Sequence, residues 1–188
     1  AGGSVGDPLG GRASRAAGLP YAHAEKFASS DRCVGCTIGD GAFQMLGMNE
    51  LITVKKYLEK WDNPQFIVMV LHNNDLTQVS WEMRTEDANP VWPVSQDVES
   101  VDYAGWAELL GFTGIRVKSD DDVAAAWDAA FAHQGVTRID AYTSKNLPPL
   151  PPKTTVQFAM NPAHALLPGA PHEAAVIRDS TPAVPPAR

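Results

Sequence analysis

The sequence predicts an α/β domain, with a mostly parallel sheet and helices on both faces. Three observations predict it. Two short apolar runs, residues 34–38 and 66–71, lack the polar alternation of a half-wet strand and read as buried strands. A helical pattern over 42–60 joins them, which is the kind of crossover that parallel neighbours need. Strand and helix patterns then continue to alternate as far as residue 142, as expected for a layered βα architecture.

A chain of 188 residues can bury one such core. The expected division is an irregular segment over 1–18, the α/β domain over 19–146 and a Pro/Ala-rich arm over 147–188. Net charge is −7, from 15 Lys and Arg against 22 Asp and Glu, with no basic cluster. That balance argues against a nucleic-acid binder. No apolar run reaches membrane-spanning length and no leader pattern precedes the domain, so a soluble, cytoplasmic protein is expected. The chain opens on Ala1 without an initiator Met, which suggests a fragment, a processed product or one subunit of a split enzyme.

Taken in order, residues 1–18 are rich in Gly, Ala, Arg and Ser and read as loop or disorder. A helix is predicted over 19–28, with Pro20 in its first turn and Tyr21, Ala24, Phe27 and Ala28 as its apolar stripe. Cys33 and Cys36 have the Cys-x-x-Cys spacing, but no second ligand pair follows for zinc. They read as small core residues of the first strand. The helix over 42–60 presents Met45, Met48, Leu51, Ile52, Lys55 and Leu58 at steps of three and four. Trp61-Asp62-Asn63-Pro64 ends it.

Residues 85–101 are polar, carry Pro90 and Pro93, and read as an irregular connection. A helix over 102–110 follows, stopped by Gly111. A short strand over 114–117 comes next. Ser119 then caps a helix whose first turn holds Asp120, Asp121 and Asp122, with Val123, Ala126, Trp127, Ala130 and Phe131 as the buried stripe. That acidic run is simpler as a helix start than as a metal site. The last strand is predicted over 136–142.

The chemistry gathers where two strands end. Gly39-Asp40-Gly41 follows the first strand and Asn73-Asn74 follows the second. In an open parallel sheet the C-terminal strand ends are where ligands bind. Asp and Asn oxygens there are hard ligands suited to Mg²⁺ or Ca²⁺. The glycines favour a tight turn, and the N–H groups of a helix opening at Gly41 can face a phosphate.

Gly-Asp-Gly, a helix, an apolar strand and Asn-Asn together resemble the signature of thiamine-diphosphate-dependent enzymes. The wider text, from Ile38 to Met45 and from Asn49 to Val54, resembles the pyruvate oxidase and acetolactate synthase branch. The likeness runs from about Leu19 to about Pro152. It implies the family's diphosphate-binding domain, with thiamine diphosphate and Mg²⁺ as cofactors. It assigns metal ligation to Asp40, Asn74 and the Leu76 carbonyl. It places Gly39, Gly41, Ala42, Phe43 and Thr77 beside the cofactor, with residues 77–84 covering it as a short helix or lid.

The implied activity is processing of a 2-keto acid. The family's catalytic Glu comes from a pyrimidine-binding domain without counterpart here, so no catalytic residue is assigned. A partner domain, on another chain or in a missing part of this one, is expected, as is a homo- or hetero-oligomer. Departures from the family include Arg15-Ala16-Ala17-Gly18 where a Met-Gly step is usual, and a longer spacing before Asn73. A non-catalytic module that keeps the fold is the alternative. A Rossmann-type dinucleotide site fits less well, because Gly39-Asp40-Gly41 lacks the later glycine and the acidic residue after the next strand. His72, beside the Asn pair, is a minor candidate for proton transfer.

Overall fold

A computed structural model describes residues 15–92, 94–147, 156–166 and 173–180. The helices are α1 (Gly18–Ala28), α2 (Asp40–Ala42), α3 (Met48–Tyr57), α4 (Thr77–Glu86), α5 (Tyr103–Leu109), α6 (Val123–Ala132), α7 (Val156–Leu166) and α8 (Glu173–Ser180). The strands are β1 (Val34–Gly39), β2 (Phe66–His72), β3 (Thr113–Val117) and β4 (Val136–Tyr142). All pair in parallel, in the order β1-β2-β4-β3. Residues divide into two compact units, one from Ala1–His72 and Val101–Thr143, the other from Asn73–Ser100 and Ser144–Arg188.

The first unit holds the sheet. Successive side chains of a strand face opposite ways, and β2 buries both sets. Phe66, Val68 and Val70 pack with Leu19 of α1, Leu51 and Val54 of α3 and Tyr103 of α5. Ile67 packs on the other face with Ile139, Val117 and Ala126 and Ala130 of α6. Helices therefore cover both faces, and the apolar run of β2 follows from burial on both. The register Val34↔Phe66 through Gly39↔Leu71 brings the C-terminal ends of β1 and β2 side by side.

Local signals act as expected around α5 and α6. The Asp102 side chain accepts the Gly105 N–H at 3.1 Å and starts α5. Gly111 takes a φ of 83° beyond its end, a conformation that suits glycine. The Ser119 hydroxyl accepts the Asp121 N–H at 3.3 Å, so the Asp120–Asp122 run opens a helix. Ala126 and Ala130 face the sheet, while Val123 and Phe131 are exposed. Close approach of α5 to β3 depends on Gly114, where a Cβ would stand 2.5 Å from the Ala104 carbonyl oxygen.

The expected stripe of α1 faces outward, and that of the next helix is inward only in part, at Leu51 with Met48 and Leu58 packed against the core. α1 buries Leu19, His23 and Lys26, while Tyr21 is 58% exposed and Phe27 lies outside as well. The polar heads find partners indoors. His23 Nδ1 meets the Glu50 carboxylate, and Lys26 Nζ donates to the Arg32 carbonyl above the Trp61 ring. Their stems fill the interface. In the following helix the inward residues are Phe43, Gly47, Leu51 and Val54, whereas Met45 is 59% exposed and Ile52 also faces out. Phe43–Gly47 forms a π-helical turn, and a Cβ on Gly47 would collide with the Phe43 ring. Counting apolar residues misses a glycine that makes room for a neighbour.

Cys33 is another correction. It precedes β1 and is exposed, and only Cys36 packs against the core. Of the expected irregular stretch 1–18, residues 1–14 lie outside the described residues, Arg15–Ala17 forms a 3-10 turn and Gly18 opens α1.

The second unit contains α4, the connection to Ser100, α7 and α8. Two segments of the expected arm are thus helical, and the rest of it after Leu147 lies outside the described residues. The buried Asn161 amide of α7 donates to the Thr85 carbonyl at 2.7 Å and the Glu86 carbonyl at 3.3 Å. Those are last-turn carbonyls of α4 that would otherwise lack intrahelical donors. Among the described residues no helix is long and apolar enough to cross a membrane.

Candidate functional site

In the sheet unit, β1 runs directly into a helical stretch made of α2, the π turn and α3. Gly39 is the cap position, extended at φ −75° and ψ 156°, and offers no capping side chain. Helix starts at Asp40, one residue earlier than the sequence suggests. The Asp40 carboxylate is 2% exposed, and its Oδ1 accepts the Gly41 N–H at 2.8 Å. A Cβ on Gly39 would meet nothing within 4 Å. Asp40, Gly41, Ala42 and Phe43 are thus gathered at the mouth of β1, with a hard oxygen and helix-start N–H groups together. That set fits a cation and a phosphate group.

Behind this turn lies a polar cluster of which sequence reasoning singles out only His72. Gln44 Nε2 donates to the Tyr103 hydroxyl at 2.7 Å. Burial pushes the Tyr103 phenol up to about 12. His72, at the end of β2, places Nδ1 2.9 Å from Asp140 Oδ1 on β4, and neither side chain meets solvent. Its ring stacks on Tyr142 at 4.5 Å and meets Tyr103 edge-on at 4.8 Å. His72 is buried, 1% exposed, and held by Asp140 and two tyrosine rings. The signal for Asp140 and Arg138 is faint: two charged residues inside a strand otherwise read as core.

The other expected site residues belong to the second unit. Asn74 takes φ 56°, a left-handed conformation that Asn tolerates better than most side chains. Its carbonyl accepts from Val98 N–H at 3.0 Å, and Leu76 N–H donates to the Gln96 carbonyl at 2.8 Å. These bonds fix the loop before α4. The Leu76 carbonyl accepts the Ser80 N–H at 3.0 Å, which leaves its second lone pair for another partner. Thr77 is the first residue of α4, and its hydroxyl donates to Asp75 Oδ2 at 3.1 Å.

Asp75 also accepts from the Ser80 hydroxyl at 3.0 Å. It organises the helix start, and an Asp just before a helix is a signal the sequence did carry. The expected short helix over 77–84 is present as α4. Trp81 is buried within it beneath the Arg84 guanidinium, 4.8 Å from the ring centre. Among the described residues no group of three or more His, Cys, Asp or Glu is arranged to hold a metal ion. The expected donor set is of another kind, one carboxylate with an amide and a carbonyl.

Cys33 and Cys36 are both free thiols. Burial pushes Cys36 up to about 11 and raises Cys33 as well, so neither forms a ready thiolate at neutral pH.

Residues 10–141 match a family model described as the thiamine pyrophosphate enzyme, C-terminal TPP binding domain. The chain is 31% identical over 143 residues to a Bacillus subtilis (strain 168) protein provisionally named thiamine pyrophosphate-containing protein YdaP, covering 76% of this chain and 23% of that one. Among solved structures it is similar to a thiamine diphosphate-dependent 4-hydroxybenzoylformate decarboxylase of Rhodococcus jostii RHA1, with TM-score 0.58 and 26% identity over 69% of this chain and 23% of that one. Benzoylformate decarboxylase of Polynucleobacter necessarius shares the fold, with TM-score 0.56 and 22% identity over 71% of this chain and 24% of that one. The chain spans about a quarter of the length of each of these relatives.

Proposed function

The chain belongs to the thiamine pyrophosphate enzymes, as their C-terminal TPP-binding domain, and from that premise we propose that it binds thiamine diphosphate through Mg²⁺ as one part of an enzyme acting on a 2-keto acid. The observation that carries this reading is Asp40: a buried carboxylate on the first residue of a helix, at the mouth of a parallel strand, beside a glycine that leaves open space. A diphosphate is heavily charged and needs a divalent cation together with backbone donors.

Asp40, the Asn74 amide and the Leu76 carbonyl supply the metal oxygens. The N–H groups of Gly41, Ala42 and Phe43 are assigned as the phosphate donors, although in this structure the Gly41 N–H donates to Asp40 Oδ1 and the Phe43 N–H to the Asp40 carbonyl, and Gly39 and Thr77 are assigned to the lining. Support for the Asn74 and Leu76 assignments is the family motif, the fixed backbone of their loop and the remaining lone pair on the Leu76 carbonyl.

When bound, the cofactor would supply an electron-accepting ring for chemistry beside the carbonyl of a 2-keto acid. What this chain contributes is the grip on the diphosphate end. The Rhodococcus relative is named for decarboxylation of a 2-keto acid, which supports that substrate class. Groups that touch the aminopyrimidine ring and the substrate come from a pyrimidine-binding domain beyond this quarter-length segment, so turnover requires that partner.

The test is a tryptophan-fluorescence titration with thiamine diphosphate, with and without Mg²⁺, on the chain and on Asp40→Ala. Saturable binding that needs Mg²⁺ and is lost with Asp40 is the expected result. Binding that ignores both the cation and the substitution overturns the proposal.

A further inference from the structure

The Arg138 guanidinium lies 4.5 Å from the centre of the Phe43 ring and 4.7 Å from that of Tyr103. Those rings meet edge to face, 5.6 Å apart at 86°. Arg138 is wholly buried, and its Nε, Nη1 and Nη2 have no hydrogen-bond partner among the described residues. A cation withdrawn from water in that state is unfavourable unless its surroundings compensate. Here compensation comes from two π faces and from the Asp140 carboxylate. Burial lowers the guanidinium to about 10, so it remains charged at neutral pH. An aliphatic side chain would fill this position on β4 without any of these demands. Packing alone does not account for an arginine.

What the cation touches gives the reason. Phe43 is one of the residues whose N–H is assigned to the diphosphate, and Gln44 follows it. Tyr103 holds both neighbours, Phe43 through its ring and Gln44 through its hydroxyl. Arg138 lies over both rings and gives their arrangement a direction, because a planar guanidinium favours the ring face.

We propose that Arg138, together with Tyr103, is a positioning residue for the Asp40–Phe43 turn, holding its carboxylate and N–H groups in the geometry that a diphosphate and its cation require. This rests on the diphosphate reading above. The role belongs to this chain's own residues and lies outside the Gly-Asp-Gly and Asn-Asn motif.

The test measures backbone amide exchange on the full chain without ligand, comparing the protein with Arg138→Met and Tyr103→Phe. In Arg138→Met the amides of residues 41–44 are expected to exchange roughly tenfold faster or more while those of β2 stay nearly unchanged, the pattern of a local opening rather than a global one. In Tyr103→Phe the acceleration is smaller and centred on Gln44. Affinity of Arg138→Met for thiamine diphosphate at fixed Mg²⁺ falls in parallel. Exchange at 41–44 that is unchanged, or that rises only in step with β2 and β4, overturns the proposal.

Should Arg138→Met fail to fold, Tyr103→Phe decides alone by the same criterion. Failure of the unsubstituted chain to bind thiamine diphosphate would count against the cofactor reading. It would leave the exchange comparison intact, so the two outcomes are told apart.

Discussion

His72 and Asp140 share a hydrogen bond of 2.9 Å between Nδ1 and Oδ1, with neither side chain in contact with water. They tie the last residue of β2 to the neighbouring strand immediately before Asn73 and Asn74. The backbone adds to this, since the His72 carbonyl accepts the Thr143 N–H at 2.9 Å. Removing the carboxylate strands both the imidazole and the nearby Arg138 cation. Asp140→Ala is expected to cost about 3–5 kcal/mol, the range for breaking a buried charged pair. His72→Phe keeps the aromatic packing and leaves one acceptor unsatisfied, at about 1–3 kcal/mol. Urea unfolding monitored by near-ultraviolet circular dichroism checks the order, and a larger loss for His72→Phe would contradict it.

Asp40 opens the helix after β1, and its Oδ1 accepts the Gly41 N–H at 2.8 Å. Asp40→Asn should change unliganded stability by no more than about 1 kcal/mol, the usual worth of a first-turn acid. Ligand-linked stabilisation is a separate matter. At a hundredfold excess over Kd a bound ligand adds about 2.7 kcal/mol, and Asp40→Asn should lose that increment. Thermal melts with Mg²⁺ and thiamine diphosphate present or absent supply the comparison, and a shift that survives the substitution would remove Asp40 from the metal.

Gly114 lets α5 lie against β3, with the obstructing atom a backbone carbonyl that has no rotamer to escape into. Gly114→Ala should therefore destabilise the sheet unit by about 1–3 kcal/mol, the range for overpacking a closed contact. A stability unchanged in chemical denaturation would show that α5 moves more freely than its packing implies.

Asp102 is held below the ordinary carboxylate range first by its hydrogen bonds from Arg116, at 2.8 Å for the shortest, and then by the Gly105 N–H. Its folded-state value is depressed, so its stabilisation is present above the unfolded value of 3.8 and is lost as pH falls through the lower folded value. Both side chains are substantially exposed, so the effect is at most about 1 kcal/mol and shrinks in salt. Acid unfolding of Asp102→Asn should show a weaker pH dependence below the unfolded value of 3.8 than the parent in low salt. The same curve in both proteins would assign acid sensitivity elsewhere.

Cys33 is exposed, whereas Cys36 is held against the core with its thiol near 11. At pH 8 an alkylating reagent should modify Cys33 first and reach Cys36 at a measurable rate only in denaturant, as read by peptide mass. Equal labelling of the two in the folded chain would mean that β1 opens readily.

The sequence by itself determined the α/β class, the adjacency of β1 and β2, the cap at Ser119, the stop at Gly111 and the family. Those features follow from short-range chemistry or from motif spacing, which a linear reading can see. The inward faces of α1 and α3 were decided only by tertiary structure. His23 and Lys26 go inside because Glu50, the Arg32 carbonyl and Trp61 wait there to receive their polar atoms. Phe43 turns inward over Gly47, where no Cβ stands in its way. Arg138 follows the same rule, as a charge on a central strand tolerated because two aromatic rings from distant parts of the chain enclose it. Burial of a polar group depends on partners far away in sequence, and hydrophobic period has no means of registering them.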